Sequence, residues 1–493
     1  MKIKKNNIIS KEFIQFYSLF FLTIFFVYYT PPGINRLYFI LLLALFWNSK
    51  KDYFWFVFIF ILVAQPGILF HGTSRVAIHR IPLYSITTGV SFGFFDLFFL
   101  TAFIKAMIKG KFTKLILKKP LVYLLIYMIF LFLISFYYGT NLKLVTSSLR
   151  NFTVFTLFVS FPFLVYKKED FFKFMHLVFP IVFFIIFAQF FYLFTGSNLY
   201  YFMIGQSTLN IIELMESSGY TDFIRPMSGG AQLLLFSFIF TLFLIEKKDY
   251  PGKKWYLYLV LMISTLSIFL SATRGWIIMY AIMLFLNFIF IMRKTPKILV
   301  QVFLIIFIFL SSYHLIPRLK YSVDNSWRRL STVEYLLEGD VTAGGTLQRI
   351  DKRLPRVLEG FEKNPVFGWG FSETFEKYSD RHVGNFNLLM QIGIIGALLF
   401  FYFWIKYFHM IFVAKKNLSK KNPFKSSILV LAVGFLGILI LHFTSAQFFG
   451  YYVQPRRVMT IIILIFFSEF FIKEALRVEM SNKHIDSHPE NNK

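Results

Sequence analysis

The side chains best suited to chemistry in this sequence are arginines and histidines, and many of them fall in one stretch. A long polar segment runs from His314 to Asn387 and carries Arg318, Arg349, Arg353, Arg381 and His382. Within it lies Asn364-Pro365-Val366-Phe367-Gly368-Trp369-Gly370, and just beyond it come Gly393 and Gly396. Upstream, Arg225 precedes Pro226-Met227-Ser228-Gly229-Gly230, and Arg274 sits in the tight turn Ser271-Ala272-Thr273-Arg274-Gly275. A guanidinium is planar, always protonated and matched to phosphate through paired donors. Arginines gathered on one side of a chain therefore point first to a ligand with two phosphates. For any single arginine the alternatives are solvation or a pair with Asp324, Glu334, Asp351, Glu359 or Asp380.

The elements that position these residues belong to a membrane protein. Apolar residues make up 57% of the 493-residue chain, aromatics 21% with 70 phenylalanines, and charged residues only 16%, a composition no soluble domain needs. The first apolar run, 13–29, is long and lacks a small-residue cleavage site, so it reads as a span rather than a signal peptide. Runs of one bilayer length number about fourteen. They lie near 13–29, 33–48, 53–70, 91–108, 120–138, 151–166, 171–195, 227–246, 255–273, 275–292, 298–313, 386–405, 427–445 and 457–472. The expected fold is thus an all-α polytopic membrane protein: transmembrane helices 1–11 over 1–313, a large helical loop over 314–385, helices 12–14 over 386–472, and a tail over 473–493.

Charge orients it. The net charge of +27 is distributed by loop, with lysine clusters at every second connection: 50–51, 109–119, 167–168, 247–254, 293–297 and 415–425. The positive-inside rule puts those loops and both termini in the cytoplasm. On that topology the arginines lie almost wholly on the opposite side, Arg456 and Arg457 included, and only Arg293 and Arg477 fall inside. Lysine is enough for an orientation signal, so arginine placed against the rule asks for another reason. Absence of cysteine removes disulfides and thiolate chemistry. The basic balance belongs to membrane topology and not to nucleic acid.

Within the polar loop two amphipathic helices are expected. One runs from an Asn325/Ser326 cap to Gly339, and the other from Thr346 to Glu362 with Pro355 kinking or restarting it, their apolar faces on the membrane surface or the bundle. Gly368 and Gly370 permit a tight turn, while Gly393 and Gly396 read as sites of close helix approach inside span twelve.

Together these residues resemble the O-antigen ligase / O-antigen polymerase (Wzy-type) superfamily of bacterial envelope glycosyltransferases. The shared features are Arg225 before a glycine-containing span start, the Arg274-Gly275 turn, and Arg349 ahead of Asn364-Pro365-Val366-Phe367-Gly368-Trp369-Gly370. His382 then precedes Gly393 and Gly396, with Val383 where the family has asparagine and Asn385 and Asn387 nearby. The match covers roughly 225–400; beyond it only hydropathy agrees. The resemblance implies a GT-C-like fold in the bacterial inner membrane with a periplasmic active face. It implies an undecaprenyl-pyrophosphate-linked glycan as donor, and lipid A core or a second lipid-linked glycan as acceptor. It also implies arginines on the pyrophosphate and a histidine on the acceptor hydroxyl.

The residues fit that chemistry. Displacing pyrophosphate from an anomeric carbon builds negative charge that metal ions or arginines can meet. The outer loops 30–36 and 71–90 hold no carboxylate, and Asp324, Asp340 and Asp351 are scattered, so metal-free catalysis is expected, with no cofactor. Arg274 and Arg349 would stabilise the leaving group, Arg225 would assist, and His382 would accept the hydroxyl proton. His314 is the competing base, Arg353 and Arg381 are supporting groups, and direct attack inverts the anomeric centre. The alternative class is a lipid-linked oligosaccharide flippase or polysaccharide exporter. Spans nearly free of ionisable residues and a folded loop on one face argue against it.

Overall fold

A computed structural model of the chain describes residues 11–64, 83–87, 90–111, 114–140, 152–195, 199, 230–250, 252–271, 273–291, 296–317, 319–320, 324, 353–380, 383–444, 447–448 and 455–487. It is all-α and 83% helical. The phenylalanine- and leucine-rich runs form α1 (Lys11–Tyr29), α2 (Pro32–Asn48, with proline in its first turn) and α3 (Asp52–Ala64). A short antiparallel hairpin, β1 (Leu83–Thr87) and β2 (Val90–Gly93), leads into α4 (Phe94–Lys109). Then come α5 (Lys118–Tyr137), α6 (Leu157–Leu164) after a 3-10 turn, and α7 (Lys168–Val178) with α8 (Ile181–Thr195), which part at Pro180. Next are α9 (Ala231–Glu246), α10 (Lys254–Leu270), α11 (Arg274–Phe290) and α12 (Pro296–Leu315). The polar loop contributes α13 (Leu354–Glu362) and α14 (Glu373–Tyr378), and the chain closes with α15 (Gly384–Asn417), α16 (Ile428–Thr444) and α17 (Pro455–Ser487).

Every apolar run expected to span carries a helix. Among the described residues four helical stretches, Lys11–Tyr29, Lys118–Tyr137, Lys168–Thr195 and Gly384–Asn417, are long and apolar enough to cross a membrane on their own. Large apolar side chains such as Leu37, Ile126, Leu133, Phe401 and Ile405 stand exposed on the outside of the bundle, as a lipid-facing surface requires. Pro355 lies in the first turn of α13, and the expected helical stretch from Thr346 to 352 lies outside the described residues. The expected helix from Asn325 to Gly339 lies outside the described residues. The 473–493 segment is not a loose tail over its first part, because α17 continues through Ser487.

Between helices in lipid, association rests on packing and hydrogen bonds more than on burial from water. Here α17 is the spine, and phenylalanine does the packing. Phe467 and Phe471 meet Phe171, Phe174, Phe236, Phe240 and Phe243, with ring centroids 4.5–6.3 Å apart. Polar groups on the same helix then tie down the lysine-bearing turns near 117, 168 and 419–422 at one end of the bundle. Glu469 accepts the Leu117 N–H at 2.6 Å, Glu474 pairs with Lys168 at 2.6 Å, and Glu479 accepts from Ser419 N and Asn422 Nδ2 at 3.0 Å each.

At that same end the 2%-exposed Lys105 donates to the Phe46 and Ser49 carbonyls at 2.7 and 2.8 Å and to Asp52 at 2.6 Å. It thereby adds a second donor to the Phe46 carbonyl, which the Ser49 N–H already serves, and joins α4 to the α2–α3 turn. Replacing Lys105 with Met should cost about 3 kcal/mol, since it leaves the 15%-exposed Asp52 carboxylate without its ammonium partner, and should lower the unfolding temperature of the detergent-solubilised protein by several degrees. Lys173→Met removes a half-exposed partner of Glu12 and should shift it little.

Candidate functional site

The loop motif and the helix after it form one unit. Residue Gly393 has φ 61° and ψ −174°, which breaks α15 nine residues after its start. Such a break strands carbonyls on one side and N–H groups on the other. The 365–370 segment supplies partners for both. Trp369 N and Gly370 N donate to the Met390 and Gln391 carbonyls at 3.1 and 2.9 Å, and Ile394 N and Ile395 N donate to the Pro365 and Val366 carbonyls at 2.8 and 3.2 Å. The Tyr127 hydroxyl of α5 reaches the Ile392 and Phe367 carbonyls at 2.7 and 3.0 Å. Tyr127 is ten helical residues, ~15 Å, from the Glu469-capped start of α5, so the break lies deep between the two ends of the bundle.

This corrects the sequence reading of Gly393, expected as a point of close helix approach. It is the break itself, and a Cβ there would lie 2.5 Å from the Gly368 nitrogen. Gly396 does match the expectation, with the Tyr127 ring against it. Both Gly368 (φ 74°) and Gly370 (φ 56°) take left-handed backbone that only glycine adopts at low cost. The loop is anchored further by Asn364 Nδ2 to the Gly368 carbonyl at 2.8 Å, Trp369 Nε1 to the Gly360 carbonyl at 2.6 Å and Phe371 N to Ser135 Oγ at 2.7 Å. The apolar face of α13 turns onto the bundle: Val357 packs with Phe375, Tyr378 and Met390, flanked by Phe361 and Trp369. On its exposed side the Lys363 ammonium holds the Glu359 carboxyl below its usual range.

His382 and Arg381 lie outside the described residues, but the backbone on either side of them is fixed. Asp380 N donates to Asn387 Oδ1 at 3.0 Å, Val383 N to the Asp380 carbonyl at 3.2 Å, and Arg356 Nη2 to the Ser379 carbonyl at 2.8 Å. Arg353 takes the bland alternative, an ion pair with Asp380 at 3.7 Å. His314 is exposed in the last turn of α12, a helix packed on α10, whereas α15 packs on α5, α13, α16 and α17. The structure thus sets His314 on a different group of helices from residues 380–395.

Arg225 and Arg349 also fall outside the described residues. Arg274 is the first residue of α11, at the end of the bundle away from the lysine turns, and its side chain is not described. Its turn is built by Ser271 Oγ donating to the Ile268 carbonyl at 2.7 Å and Trp276 N to the Thr273 carbonyl at 3.0 Å. An open cleft of about 280 Å³ adjoins it, lined by Ser271, Thr273, Trp276 and Gln189 together with Ala231 at the start of α9. The start of α9 at Ala231 and the turn that bears Arg274 therefore line one space, while residues 225–229 lie outside the described residues. Helix α16 touches both α11 and α15 and so links this half of the site to the plugged break.

Several groups here were not singled out from the sequence. Tyr127 and Ser135 lie in an apolar run that gives no hint of a loop partner. Gln391, wholly buried beside the break, has neither side-chain polar atom paired among the described residues. No family model matches the chain, and no curated protein matches it.

Gly393→Ala should prevent native assembly, because strain at positive φ adds to a backbone clash; size-exclusion chromatography in detergent should show aggregated in place of monodisperse protein. Tyr127→Phe, which strips two carbonyls of one hydroxyl, should leave an assembled protein less stable by about 1–3 kcal/mol in thermal unfolding.

Proposed function

We propose that the chain is a membrane glycosyltransferase of GT-C-like design that transfers a glycan from an undecaprenyl-pyrophosphate donor to an acceptor hydroxyl. Its fourteen expected spans place both termini and the lysine-rich end in the cytoplasm and the reaction at the periplasmic face of a bacterial inner membrane. The observation that carries this reading is the docking of the Asn364–Gly370 motif into the break of α15, which pins the backbone on both sides of His382 at the end of the bundle that also bears Arg274. A scaffold of this kind supplies what positioned acid–base chemistry needs, a side chain held on rigid elements.

In this mechanism the acceptor oxygen attacks the anomeric carbon while its proton passes to His382. The bond from that carbon to the phosphate oxygen breaks with inversion, and the electron pair leaves with the lipid diphosphate. Its added charge is met by Arg274 and Arg349, with Arg225 assisting, and no metal ion is required. Arg353, paired with Asp380, acts as a brace for the 380–383 turn more than as a phosphate ligand. The acceptor is either lipid A core or a second lipid-linked glycan.

Purified protein given a lipid-linked donor and acceptor should form product, which a flippase would not. Arg274→Ala should lower that rate by about 10²–10³-fold and His382→Ala by about 10²–10⁴-fold at normal protein levels, and chelation by EDTA should leave the rate unchanged. Full activity in either variant would exclude the assignment.

A further inference from the structure

The cleft beside the Arg274 turn contains a polar group that the chemistry above does not use. Gln189 of α8 sits six residues, ~9 Å, before the end of that helix and is 1% exposed. Its Nε2 donates to the Ser267 carbonyl of α10 at 2.8 Å, and this bond fixes which end of the amide is which. Gln189 forms part of the cleft wall, and its Oε1 has no donor among the described residues. A buried amide oxygen left without a donor is costly, so a donor from outside the chain has its place in the cleft. Two hydroxyls on the same wall add to the pattern. Ser271 Oγ donates to the Ile268 carbonyl at 2.7 Å and Thr273 Oγ1 to the Ser271 carbonyl at 3.2 Å. A hydroxyl has one proton, so what both can still offer a ligand is lone pairs.

Both kinds of charge fit such a wall badly. Side-chain acceptors repel an anion. A cation meets the positive ends of α9 and α11, which begin at the cleft, and no carboxylate lines it. A neutral donor is left, a hydroxyl or an amide N–H. The space that water-sized groups can enter is about 30 Å³, room for one or two of them and not for a sugar ring. One substituent therefore reaches in while its ring stays outside, where Trp276 supplies an aromatic wall. We infer that Gln189, with Ser271 and Thr273, accepts hydrogen bonds from a hydroxyl or acetamido N–H of the sugar joined to the lipid diphosphate. The inference rests on the function proposed above, which places the diphosphate at Arg274. That sugar is one bond from the phosphate, and Thr273 is the residue directly before Arg274.

The test reads thermal stabilisation of the purified full-length protein in detergent with two probes. One is geranylgeranyl diphosphate, and the other is the same lipid carrying N-acetylglucosamine, which offers hydroxyl and amide N–H donors beside the phosphate. The sugar-bearing probe should reach half-maximal stabilisation at a roughly fivefold lower concentration, the weight of one neutral hydrogen bond. Gln189→Leu, which keeps the bulk and accepts nothing, should erase that difference and leave geranylgeranyl diphosphate unaffected. Thr273→Val should narrow it, and serves where the Gln189 variant folds poorly. Equal action of the two probes on the unaltered protein would overturn the inference. So would a difference that survives in both variants, the result expected if Gln189 only holds a bridging water. Should the difference survive while the unaltered protein forms glycan product, the inference fails and the proposed function stands. Should it vanish in the variants of a protein that forms no product, the function fails and the sugar site stands. Stabilisation by neither probe would overturn both.

Discussion

Inside a bilayer every backbone N–H and C=O must find a partner within the protein, because no water is there to take its place. A helix can be interrupted at that depth only if something else supplies the missing bonds. The interruption of α15 at Gly393 meets this condition with a loop: residues 365–370 return the bonds on both sides of the break, and Tyr127 takes the two carbonyls between. Each such group left open would cost several kcal/mol in an apolar setting. The polar loop is therefore not an appendage resting on the bundle. It completes a helix long and apolar enough to cross a membrane, and the helix in turn fixes the loop.

From this interlock follows the two-ended character of the molecule. At one end, carboxylates on α17 hold the lysine-bearing turns, and Lys105 closes the end of α2. These contacts pair ordinary structural charges. Elsewhere in the bundle Gln391, the His442 imidazole and the Trp404 indole keep polar atoms that no described protein group satisfies.

Much of the architecture was readable from residues alone, for physical reasons. Phenylalanine-rich runs bounded by lysine become helices because lipid leaves few other options, and the alternation of lysine clusters reappears as turns gathered at one end. The break did not show. A glycine in an apolar run has the same appearance whether it admits a neighbouring ring, as Gly396 does, or reverses the backbone, as Gly393 does. What decides between them lies elsewhere in the chain, in a tyrosine 265 positions from the carbonyl it binds. For the site, the Arg274 turn and the Asn364–Gly370 motif stood out by their unusual residues in apolar surroundings. Arg353 could be assigned only once Asp380 was seen beside it.

The central claim is the insertion of the 364–370 loop into the broken apolar helix α15. Since the chain has no cysteine, a pair introduced at Val366 and Ile395, whose backbones share a 3.2 Å hydrogen bond, can be read without background. Oxidation in native membranes should link the two thiols rapidly and nearly completely, with the protein still monodisperse on extraction. Thiols that stay unlinked in such a well-assembled protein, or that react freely with a membrane-impermeant reagent, would contradict the account.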